Sequence, residues 1–230
     1  MDNYDYIKEN LLALSREIRE YEEKYSRKIT LVAVTKSGTD EELVALAAAG
    51  AADIGENRPQ QLARRGALLK DAGFAPRLHE IGNLQRNKVK LIIESVSLIH
   101  SLDNIALAKE IDKQAGKIGR RVPVLIEINS AKEEQKDGIL PEDAEAFLRE
   151  VKNLPNISVC GLMTMGPAVS DPEMIRPYFK LTKELFDRLN RICGFEGEGI
   201  LSMGMSDSYK VAIEEGSTLV RVGRRLFNKQ

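Results

Sequence analysis

Eight short apolar runs, each ending in small or polar residues and all but the last followed by a helical pattern, constrain this chain more than any other feature. The first run, Ile29 to Thr35, is rich in β-branched residues and lacks the alternation of a half-exposed strand, so it reads as a strand buried on both faces. Runs ending at Gly55-Glu56-Asn57, spanning Leu78 to Ile81, and within VSLIHSLD and RVPVLIEINS follow it, and then ISVCGLMTMGP, GILS and STLVRVG. Amphipathic segments fill the intervals. Asp40 is expected to cap a helix from about Glu41 to Ala49 that Gly50 stops, Asp103 to cap another, and Asp171-Pro172 to open a long one. Repeats of this kind with short connections predict a single (β/α)8 barrel of the α/β class over residues 1–230. An open doubly wound sheet fits less well, since no G-x-G-x-x-G follows the first strand. At 230 residues and 43% hydrophobic content, one substantial core is affordable and a second full domain is not.

Ahead of the barrel, Ile7, Leu11, Leu14, Ile18, Tyr21 and Tyr25 recur at steps of four and three, which predicts an extra N-terminal amphipathic helix packed on the domain. The formal net charge of −1 carries no bulk signal for nucleic acid or an anionic membrane. The local cluster Arg86, Lys88 and Lys90 reads as a solvated helix face rather than an RNA contact. Cys160 and Cys193 stand alone, without the spacing of a zinc module or a disulfide scaffold, and read as buried thiols in a reducing compartment. His79 and His100 are far apart in sequence with no acidic partner at ligand spacing, so no metal site is expected. The N-terminal residues have no apolar signal core and no run approaches the roughly 20 residues of a membrane span. A soluble cytoplasmic protein is the expectation.

Barrels of this kind bind ligands at the C-terminal ends of their strands. Lys36, followed by the turn-forming Ser37-Gly38, sits at the end of the first strand; read alone it is a solvated end-cap. Phosphate is frequently held after strands seven and eight. There the chain places Ser202-Met203-Gly204-Met205-Ser206, opening a helix whose positive dipole end favours an anion, and Arg221-Val222-Gly223-Arg224. A lysine and a phosphate cradle facing one mouth point to a phosphorylated carbonyl compound bound as a Schiff base, either pyridoxal 5'-phosphate or a sugar phosphate in an aldolase.

The segments LVAVTK, IGEN, HEIGNLQRNK, GLMTMGP, LSMGMSDSYKVAIEEGSTLVRVG and the terminal LF resemble, in order and along nearly the whole chain, the YggS-like pyridoxal phosphate homeostasis proteins. The resemblance implies a barrel of fold-type III, like the N-terminal domain of alanine racemase, with pyridoxal 5'-phosphate bound covalently. It implies that Lys36 forms the Schiff base, that Ser202 and the backbone at Gly223 and Arg224 take the phosphate with Met203 and Gly204 alongside, and that Arg221 faces the pyridine nitrogen. Asn57, His79 and Met163 are implied to line the pocket. Departures from the family pattern are Arg58 after GEN, Glu80 after His79, Arg224-Arg225 at a place commonly small and neutral, and Asn228 in place of a terminal glycine.

An arginine donates but does not accept, so at the ring nitrogen it disfavours the pyridinium and leaves a poorer electron sink. The related racemases add a tyrosine from a second domain of the partner subunit as acid/base group. With the sequence closing at Gln230 after strand eight, the expectation is a monomeric barrel without that domain. The resulting reading is a carrier that holds the cofactor and hands it to apo-enzymes, with a racemase as the alternative and a sugar-phosphate aldolase behind it.

Overall fold

The computed structural model describes residues 4–229, so Gln230 lies outside the described residues. Strands β1 (Thr30–Val34), β2 (Asp53–Glu56), β3 (Arg77–Glu80), β4 (Val96–Leu102), β5 (Val122–Glu127), β6 (Ile157–Met163), β7 (Ile200–Ser202) and β8 (Leu219–Val222) pair in parallel in sequence order. β8 returns to β1, with Val32 opposite Arg221 and Ala33 opposite Val222, and closes the ring. This is the expected (β/α)8 barrel. Val32, Leu98, Leu125, Met163 and Leu219 form one apolar cluster. They come from strands around the whole ring and can meet only inside it, so they fill the barrel as a core.

The larger core lies between the strands and the outer helices α2 (Asp40–Ala48), α3 (Pro59–Asp71), α4 (Val89–Ile92), α5 (Ile105–Lys117), α6 (Ala144–Val151) and α7 (Arg176–Cys193). The short helices α8 (Tyr209–Glu214) and α9 (Arg224–Phe227) follow β7 and β8. The N-terminal helix α1 (Asp5–Tyr25) buries Ile7, Leu11, Leu14 and Ile18 in a cluster shared with Leu46, Ile213 and Leu226, while Tyr21 and Tyr25 are only partly covered. Each such buried side chain contributes about 1.5–3 kcal/mol of transfer free energy, so α1 is part of the domain rather than an appendage.

Several local assignments shift. Thr39, not Asp40, caps α2: its hydroxyl accepts the Glu42 N–H at 3.2 Å while the Glu42 carboxylate accepts the Thr39 N–H at 2.7 Å. Asp40 is thereby freed to take Arg64 and Arg65. Asn104 rather than Asp103 caps α5, accepting from Leu107 N–H at 2.8 Å. Asp171 caps a single 3-10 turn, Pro172–Ile175, which then runs into α7. Cys160 and Cys193 are free thiols, each half-buried rather than fully enclosed. Among the described residues no helix is long and apolar enough to cross a membrane.

Candidate functional site

At the C-terminal ends of the strands lies a cavity of about 700 Å³ whose lining includes Lys36, Asn57, Arg221, Gly223 and Arg224. Lys36 stands two residues past β1 on an exposed turn closed by the Gly38 N–H donating to Thr35 O at 3.0 Å. Its side chain makes no hydrogen bond or ion pair with any described residue. Its amine is unpaired, and its position follows that of the turn backbone.

Opposite it, the loop after β7 begins with Gly204 in the left-handed region, φ +94°, where a Cβ would lie 2.5 Å from Ala212 Cβ and 2.9 Å from Tyr209 Cα. Only glycine turns the chain that tightly over α8, and the turn delivers Met205, Ser206, Asp207 and Ser208 to the cavity wall. Gly223, just past β8, donates its N–H to Ser206 Oγ at 3.3 Å and stands so close to β1 that a Cβ would lie 2.9 Å from Val34 O. The backbone N–H groups of Ser206, Asp207 and Arg224 find no acceptor among the described residues. Unspent amides, a hydroxyl whose hydrogen has no acceptor and the Arg224 guanidinium, itself paired with Asp207, thus belong to residues that line one stretch of the cavity, a donor set suited to an anion. The expected helix dipole is a small part of this, because α8 has only 6 residues.

Arg221 is buried, 4% exposed, yet reaches the cavity. It donates to Ser202 Oγ, and at 3.1 Å to Thr164 O. Burial brings its pKa down to about 10, with the Glu127 carboxylate opposing the fall, so it stays protonated at neutral pH.

Ser202, Met203, His79 and Met163 do not line this cavity. Ser202 is fully buried at the end of β7, Met203 packs in the core outside the barrel, and Met163 belongs to the barrel interior. His79 faces the other end, where it shares a cavity of about 720 Å³ with Asp53 and Arg77 near the strand starts. The two histidines, far apart in sequence, are brought into contact: His79 Nδ1 lies 3.0 Å from His100 Nε2, His100 Nδ1 lies 3.0 Å from Ser202 Oγ, and His79 Nε2 lies 2.9 Å from Asp53 Oδ1. A chain of hydrogen bonds thus crosses the barrel from Arg221 to Asp53. At its two ends the roles are fixed, since Arg221 only donates to Ser202 Oγ and the ionised Asp53 only accepts from His79 Nε2–H. Burial, then His79 and Arg221, keep His100 well below its ordinary pKa. Burial works to raise Asp53, but the bonds from His79 and Arg77 outweigh it and hold the carboxyl below the usual range. Among the described residues no group of His, Cys, Asp and Glu is arranged to hold a metal.

A family model described as the alanine racemase N-terminal domain matches residues 10–229. A pyridoxal phosphate homeostasis protein of Aquifex aeolicus is 46% identical over 176 residues, covering 76% of each chain, and one of Helicobacter pylori is 33% identical over 98% of this chain and 99% of its own. The chain belongs to the pyridoxal phosphate homeostasis protein family. A family member from Synechococcus elongatus, solved with pyridoxal phosphate bound, matches with a TM-score of 0.83 at 29% identity, covering 96% of this chain and all of that one.

Within the family fold, wall residues that the sequence did not single out for the site include Ile81, Gly82, Pro167, Ala168, Val169 and Asp207, while Ser206 entered only as the end of the loop after strand seven. Ser206 was within reach of sequence logic, because a Ser two residues past Gly204 sits in the loop while Ser202 still belongs to the strand. The apolar wall Pro167-Ala168-Val169 carries no chemical signature and only the fold reveals it.

Proposed function

We propose that this protein binds pyridoxal 5'-phosphate, holds it as a Schiff base on Lys36 and serves its homeostasis by keeping the reactive aldehyde out of solution until an apo-enzyme takes it. The observation that carries this reading is the juxtaposition, in one cavity of about 700 Å³, of an unpaired primary amine with an anion cradle built from the loops after β7 and β8. The residues fit the group. Ser206 Oγ and the free amides of Ser206, Asp207 and Arg224 suit the phosphate, and Arg221, donor-only and protonated, suits a ring nitrogen that is not itself protonated. The Lys36 amine adds to the aldehyde carbon and water leaves, so a C=N bond replaces C=O. Asn57 and Gly223 complete the wall, and we place Ser202, Met203, Gly204, His79 and Met163 behind it as support.

The carrier reading is favoured over racemase chemistry by what stands around Lys36. The titratable side chains lining the cavity are Lys36, Asp207, Arg221 and Arg224, and Asp207 is tied to Arg224. No tyrosine among the described residues lines it; Tyr209, for example, gives its hydroxyl to Glu17 at 2.5 Å. The two free thiols suit a reducing cytoplasm. The test is borohydride reduction of the protein mixed with pyridoxal phosphate, followed by peptide mapping. A phosphopyridoxyl group on Lys36 is expected, with negligible conversion of L- or D-amino acids. An adduct elsewhere removes the site, and turnover of an amino acid's chirality at ordinary enzyme rates removes the carrier role.

A further inference from the structure

The geometry points to Arg65 of α3 as the residue that positions Lys36. This inference rests on the proposed role of Lys36 and asks what fixes an amine that has no side-chain partner of its own. Arg65 is an arginine in the middle of an amphipathic helix, yet only 4% of it is exposed. Its Nη1 donates to Thr35 O at 2.5 Å and to Glu56 Oε1 at 2.6 Å, its Nη2 donates to Gly38 O, and its Nε reaches Asp40 Oδ1 at 3.3 Å. Thr35 and Gly38 are the first and last residues of the turn that carries Lys36 and Ser37. One planar guanidinium therefore holds both ends of that turn at a fixed separation, which a single ammonium cannot do.

The surroundings keep the fork in register. Glu56, buried at the end of β2, accepts from Thr35 Oγ1 at 2.5 Å as well as from Arg65. Asp40 is held by a bidentate pair from Arg64 at 2.5 and 2.7 Å. The buried arginine is thus charge-balanced by two carboxylates, and the turn is anchored to β2 and α3 together. On its other side Gly38 lies against Phe227, whose ring would be 2.8 Å from an added Cβ. Placing an amine against an aldehyde carbon is sensitive to displacements of about 1 Å, which can change a rate about a hundredfold. Holding the turn is how the fold supplies that placement.

The decisive comparison is Arg65→Lys, which retains the positive charge between Glu56 and Asp40 but can hold only one end of the turn. In the variant without pyridoxal phosphate, amide hydrogen exchange at Gly38, whose N–H donates to Thr35 O, is expected to quicken about tenfold while the β-strand amides keep their protection. With pyridoxal phosphate, covalent capture is expected to slow about ten- to a hundredfold, whereas pyridoxine 5'-phosphate, which has no aldehyde, binds as tightly as to the parent. Exchange and capture at parental rates in Arg65→Lys overturn the inference. Should Arg65→Lys not fold, the parent protein decides: a Gly38 amide protected like the strand amides supports the clamp, and one exchanging like an exposed loop amide overturns it. If the parent itself captures no pyridoxal phosphate, the proposed function fails, and the exchange arm still judges the clamp.

Discussion

Glu80 offers a quantitative test of how the cavity wall is built. It ends β3, is fully buried, and accepts the Gly82 N–H at 3.1 Å through Oε1 while its Oε2 has no partner. Burial pushes its pKa from 4.5 up to about 8, the Gly82 bond pulling down and the nearby Glu56 adding to the rise. Below pH 4.5 the carboxyl is protonated in both folded and unfolded chains and costs nothing. From there to about pH 8 the unfolded chain loses the proton while the folded one keeps it, so the folded state binds more protons and stability falls as pH rises. At about 1.4 kcal/mol per pH unit, the whole interval amounts to roughly 4–5 kcal/mol, and the loss levels off once both states are ionised. Glu80→Gln keeps an acceptor for Gly82 and removes the titration. Glu127, which burial and Asp103 push up to about 7, titrates in both proteins and cancels in the difference. Urea unfolding of parent and variant between about pH 5 and about pH 9 should therefore show the variant gaining several kcal/mol on the parent as pH rises. A difference in unfolding free energy that stays constant across the range would show that Glu80 is already ionised in the fold. Because Ile81 and Gly82 line the cavity, cofactor affinity of the parent should weaken only as pH rises past about 8, where the folded Glu80 loses its proton.

Lys36→Ala should leave the unfolding free energy within about 0.5 kcal/mol of the parent, because the side chain is exposed and unpaired, while the borohydride-trapped adduct disappears; a collapsed melting transition would make Lys36 structural. Ser206→Ala should weaken pyridoxal phosphate binding by about 1.5–3 kcal/mol, the worth of a hydrogen bond to a charged group, measured by absorbance titration, and a change below twofold would place the phosphate elsewhere. Gly204→Ala should cost at least about 1–3 kcal/mol of stability from the left-handed backbone alone, before the 2.5 Å approach to Ala212 is relieved; an unchanged denaturation midpoint would contradict the close turn.

The barrel was legible because its signals are local. Runs such as Thr30–Val34 and Val122–Glu127 are too short and too β-branched for helices, and their order alone implies a parallel ring. The placement of Lys36, Arg221 and Gly223 on the cavity wall was legible for the same reason, since each lies within two residues of the C-terminal end of a strand. What depends on register was not. His79 and His100 meet because β3 and β4 pair with His79 opposite Leu98, across a register shift that follows Leu78, and no spacing rule anticipates that. Arg65 was silent too: a basic residue in QQLARRGALL reads as solvated, and its carbonyl acceptors come from a turn 27 and 30 positions away.

Ser202 and Ser206 show why chemistry, once the register is known, separates two identical side chains in one motif. A serine hydroxyl has a single hydrogen. At Ser202 the oxygen accepts from Arg221 and lies 3.0 Å from His100 Nδ1, so the hydroxyl is already engaged on both sides by buried groups. The residue is fully buried and does not line the cavity. At Ser206 the oxygen accepts from the Gly223 N–H and the hydrogen has no assigned acceptor. The motif therefore divides its labour: Ser202 holds Arg221, and in the proposed function Ser206 is the serine placed to meet the anion. Ser202→Ala should accordingly leave phosphate affinity largely intact while freeing the Arg221 guanidinium, altering the visible spectrum of the bound cofactor, and the opposite pattern, a lost phosphate contact with an unchanged spectrum, would reverse the assignment.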